Sequence, residues 1–204
     1  MVGDRFGRSV AVSGDVVLIS ATRDTENGLA PGSAYVFRYA AGVWTEEAKL
    51  IPSDGDDGDR YGWSVSVSGD VAVVGSPGGD GRFSESGSAY VFRYTGGTWT
   101  EEAKLFASDG EPGDSFGGEV IAKGDLVFIG ASRGSGSGSA YVFRYVGGIW
   151  TEEAKLIPSD GEIDDVFGVS LAVSGGTVIV GASLDDDNGS ASGSAYIFDI
   201  SSWM

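Results

Sequence analysis

The stretch SAYVFRYAAGVWTEEAKL (residues 33–50) returns almost unchanged twice more along the chain, beginning at Ser88 and at Ser139. In its first half, aromatic side chains alternate with Val36 and Arg38, so the two sets lie on opposite faces of an extended chain. A short link containing Gly separates this half from WTEEAKL. Two extended runs joined in this way predict a pair of antiparallel strands.

Two more strand-like runs precede this pair, as in GRSVAVSGD and VVLISA, with only Ser13-Gly14-Asp15 between them. A turn centred on Gly between two such runs predicts a β-hairpin. An aromatic-Gly pair opens each copy of the pattern, and the copies follow one another at intervals of 55, 55 and 51 residues. The chain therefore contains four units, and the last one stops after its third strand.

Four antiparallel strands in a unit of about 50 residues are typical of a β-propeller blade. A β-solenoid has shorter repeats. Small residues of the first two strands suit the crowded inner part of a ring, and the charged fourth strand suits an exposed edge. We predict an all-β chain forming one propeller domain, residues 1–204, whose last blade lacks its outer strand. The predicted blades span residues 4–51, 59–106, 114–157 and 165–204.

Composition excludes several classes of function. The net charge of −17 argues against binding to nucleic acid or to anionic membranes, both of which attract basic surfaces. No apolar run approaches the roughly 20 residues of a membrane-spanning helix, and MVGDRFGRSV lacks the pattern of a signal peptide. Since the chain has no His and no Cys, it cannot form His-dependent catalytic relays, thiolate nucleophiles or disulfides.

Two segments match catalytic motifs in sequence but lack the neighbouring residues and helices that such motifs require. Gly130-Ala131-Ser132-Arg133-Gly134 matches G-x-S-x-G, but no His is available to activate the serine and no helix is predicted to follow. The nearby GSGSGSA run lacks the Lys and the helix of a phosphate-binding loop. A carboxylate pair could hydrolyse glycosides, yet nothing distinguishes one pair among 30 acidic residues. We predict that the chain is not an enzyme.

The units resemble FG-GAP repeats, the blades of the integrin α-subunit head and of many bacterial surface proteins. The FG element is found at Phe6-Gly7, Tyr61-Gly62, Phe116-Gly117 and Phe167-Gly168. The GAP element falls at Ser20-Ala21-Thr22, Gly75-Ser76-Pro77, Gly130-Ala131-Ser132 and Gly181-Ala182-Ser183. The resemblance implies a propeller used in adhesion or partner binding, at an extracellular or cell-surface location.

The resemblance does not extend to the calcium-binding loops of the family. Integrin-type repeats carry a calcium loop between the first and second strands, where this chain has only hairpins beginning at Ser13, Ser68, Lys123 and Ser174. Such short turns cannot supply the six to eight oxygen ligands of Ca²⁺. The calcium sites of the family are therefore not transferred to these hairpins.

Two other acidic loops are candidate cation sites, and each has a structural alternative. SDGDDGD contains Asp54, Asp56, Asp57 and Asp59, and LDDDNGS contains Asp185 and Asp187. Loops rich in oxygen and kinked by Gly could hold Ca²⁺. Alternatively, Asp and Gly simply form tight turns in which the carboxylate accepts backbone N–H groups. A carboxylate recurs just before each aromatic-Gly pair of the later units, at Asp59, Asp114 and Asp165, which favours turns and no cofactor.

The arginine of VFRY recurs at Arg38, Arg93 and Arg144. It could form an anion site, or it could lie across the hairpin from a Trp or pair with a nearby Glu. The second interpretation needs no ligand.

Two functional hypotheses remain. The first is a binding or adhesion scaffold for a protein or glycan ligand, which presents the loops that vary most between units, residues 22–31, 76–86, 132–137 and 183–192. The second is a structural repeat module, natural or designed, whose only property is self-assembly. Four blades could close a ring alone, or two chains could form a homodimeric ring of eight blades.

Overall fold

A computed structural model describes residues 3–25, 29–134 and 136–203, which form 15 strands in four sheets. The first blade contains β1 (Phe6–Ser13), β2 (Val16–Ala21), β3 (Ser33–Ala40) and β4 (Val43–Leu50). The second contains β5 (Val65–Ser68), β6 (Val71–Ser76), β7 (Ser88–Thr95) and β8 (Thr98–Leu105). The third contains β9 (Phe116–Lys123), β10 (Leu126–Ala131), β11 (Ser139–Val146) and β12 (Ile149–Leu156). The fourth contains β13 (Phe167–Ser174), β14 (Thr177–Ala182) and β15 (Ser194–Asp199), with a 3₁₀ turn at Ser201–Trp203.

Within each blade the strands follow one another in chain order, and every pairing is antiparallel. Short turns join the first two strands, as the SGD and KGD sequences predict. The fourth blade has three strands. The prediction of an all-β propeller arrangement whose last blade lacks its outer strand is therefore confirmed.

Blades pack face to face, and an apolar core fills each of the three gaps between them. In the first gap, Leu18 and Val36 of the first blade meet Tyr61 and Trp99 of the second. Tyr61 lies just before the inner strand β5 and Trp99 lies on the outer strand β8, so aromatic residues pack at both the inner and the outer side of the gap. Burying a residue of this size contributes about 1.5–3 kcal/mol, so packing between blades is a large part of the stability of the fold.

Glycines of the FG and GAP elements meet across these gaps. A Cβ added to Gly75 would collide with the carbonyl oxygen of Gly117, and one added to Gly130 would collide with that of Gly168. Each GAP glycine therefore gives room for the FG backbone of the next blade. In the first gap Ser20 takes the GAP position, and a Cβ on Gly62 would lie 2.9 Å from the Ser20 Cβ.

The four blades form an open arc. The inner strands β1, β5, β9 and β13 contact each other in succession. Among the strands that the structure describes, no comparable contact joins β13 to β1. Phe6 of the first blade is 56% exposed, whereas the equivalent Tyr61 is fully buried against the preceding blade. The first and fourth blades are therefore not packed on each other in this structure.

No helix in the described part of the chain is long and apolar enough to cross a membrane.

Candidate binding surface

The loops after the second strand and the loops between blades lie at one end of the arc, because all four sheets have the same strand order. Backbone hydrogen bonds tie them together. Gly78 N–H donates to the Asp59 carbonyl over 3.0 Å, and Arg133 N–H donates to that of Asp114 over 3.1 Å. The variable loops are therefore supported by the acidic loops at their base.

Asp54, the first residue of the candidate cation loop, bridges two blades. Its carboxylate accepts hydrogen bonds from the Tyr90 hydroxyl and the Lys104 ammonium of the second blade, each over 2.7 Å. Burial raises the pKa of Asp54, but these two donors lower it more, so the pKa lies below its ordinary value. The next joint repeats the bridge, with Asp109 accepting from Tyr141 and Lys155.

The other carboxylates of this loop point to different donors. Asp59 accepts the Asp56 N–H over 2.8 Å, and Asp57 accepts the Ala30 N–H over 2.5 Å. Burial raises the pKa of Asp59, which is only 9% exposed. Asp114 and Asp165 make the same short-range contact with the N–H of the residue three positions earlier. The turn interpretation accounts for all three recurrent aspartates.

The second candidate cation loop is organised around Asp185. Its carboxylate accepts the Tyr196 hydroxyl over 2.8 Å and the Asp187 N–H over 3.2 Å. The hydrogen bond from Tyr196 lowers the pKa of Asp185, while the charge of Asp185 raises that of Asp187.

Within the ranges that the structure describes, no three acidic side chains converge as the ligands of a metal ion would. Asp54 is turned toward Lys104, and Asp57 and Asp59 accept separate backbone donors. Calcium needs six or more oxygens around one point. A calcium site at Asp54–Asp59 or at Asp185 and Asp187 stays a prediction.

The recurrent VFRY arginines form ion pairs within their own blades. The Nε atom of Arg38 lies 2.6 Å from Glu47, and that of Arg93 lies 2.7 Å from Glu102; Arg144 is 3.3 Å from Glu153. Each acid of the first two pairs also accepts a Trp Nε1–H of the next blade, over 2.8 Å. Arg38 and Arg93 therefore take part in joining blades, and Arg144 is paired within its own blade.

A different group of arginines surrounds Trp63. The guanidinium carbon of Arg8 lies 4.2 Å from the Trp63 ring centre, and that of Arg60 lies 5.7 Å away. Arg60, Trp63 and Arg133 line one cavity of about 150 Å³, near the starts of the inner strands. None of these three arginines forms an ion pair with an acidic residue among those the structure describes. We call Arg8, Arg60, Trp63 and Arg133 the arginine–tryptophan patch.

Sequence reasoning did not identify this patch. Arg8 and Trp63 occupy the same position in successive units, directly after the aromatic-Gly pair, where the third and fourth units have Gly118 and Val169. This position therefore holds Arg, Trp, Gly and Val in the four units, so its chemical class changes from unit to unit. That variation was the available signal, but only the structure brings Arg133 of another loop to the same place.

A larger cleft of about 680 Å³ adjoins the patch. Its walls include Arg60 and Arg133 together with acidic residues and small residues of two variable loops. The residues of the cleft wall that bear on ligand binding are Asp56, Asp57, Asp80, Glu85, Pro77 and Gly78. The cleft is thus acidic along most of its wall and basic where it meets the patch.

The FG-GAP repeat model matches residues 1–37, 44–92, 99–143 and 150–198. A search of curated proteins finds no match to this chain. Proteins with these repeats are commonly binding or adhesion proteins, are generally not enzymes and are typically extracellular. Each matched segment contains the first three strands of one blade, and together the four segments cover most of the sequence, so the chain belongs to the FG-GAP repeat family.

Proposed function

We propose that this chain is a non-enzymatic binding scaffold that acts outside the cell and holds a protein or glycan ligand by one acidic group at the loop end of the arc. The observation that carries the proposal is the arginine–tryptophan patch. Arg60 and Arg133 line one small cavity with Trp63, Arg8 stacks on the same tryptophan, and none of the three arginines is ion-paired with an acid in the described part of a chain whose net charge is −17. Their charge favours an anionic group at this position, whereas the remaining surface repels one.

Each residue of the patch would make a different kind of contact with the ligand. Arg60 and Arg133 line the cavity and would donate paired hydrogen bonds to a carboxylate or sulfate. The Trp63 ring offers an apolar face to a sugar or an aliphatic segment. Arg8 stacks on the same ring at 4.2 Å, which fixes the ring orientation and adds positive charge.

The variable loops would supply selectivity around this anionic contact. Pro77, Gly78 and Asp80 of one loop and Arg133 of another line the adjoining cleft. Acidic side chains along the cleft would reject ligands carrying negative charge beyond the group held by the patch, since like charges across an interface cost free energy. The favoured ligand has a single acidic group next to neutral or basic chemistry.

The test is a glycan and protein binding array, followed by calorimetry on any ligand found. Arg60→Gln should weaken binding at least tenfold, because it removes a charged donor from the cavity. The matched control is Arg23→Gln, an exposed arginine of a variable loop that does not line the patch. Binding should also weaken as salt is raised.

Two results would contradict the proposal: equal binding by the Arg60→Gln and wild-type proteins, or an array without any reproducible signal. The second result would favour the alternative of a structural module that only assembles. Because Arg60 is exposed, the substitution should leave the fold intact, and an unchanged melting temperature checks this.

A further inference from the structure

Each aromatic-Gly pair lies in the middle of a four-residue turn. A backbone hydrogen bond closes the turn, as between the Trp63 N–H and the Arg60 carbonyl over 3.0 Å. The glycine has a positive φ angle, which a type II turn requires at its third position. We call the first and last residues of each turn its flanking residues, which are Arg5 and Arg8, Arg60 and Trp63, Ser115 and Gly118, and Val166 and Val169.

The flanking residues of three of these turns line one cavity, the one of about 150 Å³ that belongs to the arginine–tryptophan patch. The second blade contributes the basic and aromatic pair, the third contributes Ser115 and Gly118, and the fourth contributes Val166 and Val169. The wall of the cavity therefore changes from basic to small to aliphatic between successive blades. A ligand that complements this wall has an anionic group next to an aliphatic group.

The backbone of Val166 has an unusual conformation for its residue type. Its φ angle is +62°, where a β-branched residue is an outlier. Glycine would adopt this conformation without strain. Strained residues of this kind cluster at ligand sites. Val166 thus brings an aliphatic side chain to the cavity at a position where the turn alone would favour glycine.

The cavity has room for the end of a ligand rather than for a whole one. Sites that enclose a small molecule have volumes of roughly 300–1,000 Å³. Arg60, Ser115 and Arg133 also line the larger cleft of about 680 Å³, so the two spaces adjoin. A ligand whose end lies in the cavity would continue through the cleft.

The charge of the cleft favours a positive segment in that continuation. Asp56, Asp80 and Glu85 line the cleft, and all three are exposed. None of them forms an ion pair with another residue in the part of the chain that the structure describes. Their carboxylates would attract a basic segment and repel an acidic one.

We propose that the cavity binds the free C-terminus of a protein partner whose last residue is small and aliphatic and whose preceding residues are basic. This inference rests on the proposed function of the patch and specifies its ligand. A C-terminal carboxylate is bonded to the carbon atom that carries the last side chain, so a single residue presents both groups that the wall complements. Arg60 and Arg133 would donate hydrogen bonds to the carboxylate. Val166 and Val169 would contact the aliphatic side chain.

Two other acidic ligands complement the site less well. An acidic sugar has hydroxyl groups on most of its carbon atoms, and those beside Pro77, Val166 and Val169 would lose their hydrogen bonds to water without replacement. A fatty acid would place an uncharged chain in the acidic cleft, where it would meet no complementary group. A basic peptide with an aliphatic C-terminus uses the cavity and the cleft together.

Fluorescence anisotropy with labelled synthetic peptides tests this proposal. The probe is a short peptide that ends in Lys-Lys-Val with a free carboxylate. Its C-terminal amide should bind about ten- to hundredfold more weakly, because the charged acceptor for the arginines is absent. A peptide that ends in Gly instead of Val should bind about tenfold more weakly, since it buries no aliphatic side chain. Arg60→Gln should reduce the difference between the carboxylate and the amide.

Val166→Gly separates the contact with the ligand from the stability of the fold. The substitution removes an aliphatic side chain and relieves the strained backbone, so the melting temperature should not fall. The preference for the Val-ended over the Gly-ended peptide should decrease several-fold. The matched control is Asp164→Gly, at a residue of the same loop with a φ angle of +74° that does not line the cavity. This control should keep the full preference.

The outcomes distinguish this inference from the proposed function. Equal binding of the carboxylate and amide peptides, no binding of the probe, or an unchanged preference in Val166→Gly would overturn the C-terminal assignment. If acidic glycans nevertheless bind and depend on Arg60, the proposed function stands and only this inference fails. Binding that is independent of Arg60 for peptides and glycans alike would overturn both.

Discussion

At the scale of single residues, the glycines of the repeat motif are explained by the strain and the collisions that a side chain would cause there. The FG glycines adopt positive φ angles, and the second, third and fourth of them also lie against backbone of the preceding blade. A side chain at such a glycine therefore meets two separate obstacles, an unfavourable backbone conformation and a collision. The first blade separates the two effects, because nothing described lies near Gly7.

Gly117→Ala should destabilise the chain more than Gly7→Ala. Both glycines have similar φ angles, +90° and +85°, so both variants carry a conformational cost of about 1–2 kcal/mol. Only the Cβ at Gly117 collides with the Ser88 carbonyl, which adds about 1–3 kcal/mol of overpacking. Urea denaturation measures both variants, and equal midpoints for the two would contradict this account of the motif.

At the scale of strands, the outer strands do more than form protected edges. Glu47 of β4 is held by Arg38 of its own blade and accepts the Trp99 Nε1–H of the next blade. The ring of Tyr94 also lies 4.6 Å from the Arg38 guanidinium carbon. One carboxylate thus links two hairpins, and the charges of WTEEAKL are part of the joint between blades.

The pH dependence of stability should report this link. The hydrogen bond from Arg38 lowers the pKa of Glu47 below its ordinary value of 4.5, against the opposing effect of burial. A carboxyl group with a depressed pKa in the folded state stabilises the fold above its unfolded pKa, and this contribution is lost as the pH falls through the folded pKa. Part of the acid destabilisation below about pH 4.5 should therefore come from Glu47.

Glu47→Gln should lower the free energy of unfolding at pH 7 by about 1–3 kcal/mol, the range for hydrogen bonds to charged groups. It should also make the stability less dependent on pH below 4.5. Glu46→Gln, on the exposed side of the same strand, is the matched control. Chemical denaturation from pH 7 to pH 3 compares the three proteins, and parallel pH profiles for wild type and Glu47→Gln would exclude this role.

Strands and turns were predictable because their signals are local. Alternation in SAYVFRY and the SGD turns fix hairpins over a few residues. The contacts between blades were not predictable, since Asp54 and Tyr90 are 36 residues apart and pair only after both blades have folded. For the same reason, the acidic loops resemble cation sites in the sequence, although Asp54 in fact faces Lys104.

At the scale of the whole molecule, an arc of four repeats carries a strongly acidic surface. Each internal joint repeats the same packing, so stability approximates a sum of blade and joint contributions. Self-repulsion of a net charge of −17 opposes this packing. The acidic loops concentrate that repulsion at the loop end, where the charge of Asp185 raises the pKa of Asp187.

Screening of this repulsion predicts that the melting temperature rises with salt, because the Debye length falls to about 8 Å at 0.15 M ionic strength. Calcium and magnesium should raise it equally at matched ionic strength, since Asp54, Asp57 and Asp59 are engaged with separate donors. Differential scanning fluorimetry with CaCl₂, MgCl₂ and EDTA makes the comparison. A larger effect of calcium would reveal a specific site, and its loss in Asp59→Asn or in Asp187→Asn would assign it to one of the two loops. Without such a difference, the acidic loops act through turns, bridges between blades and net charge alone.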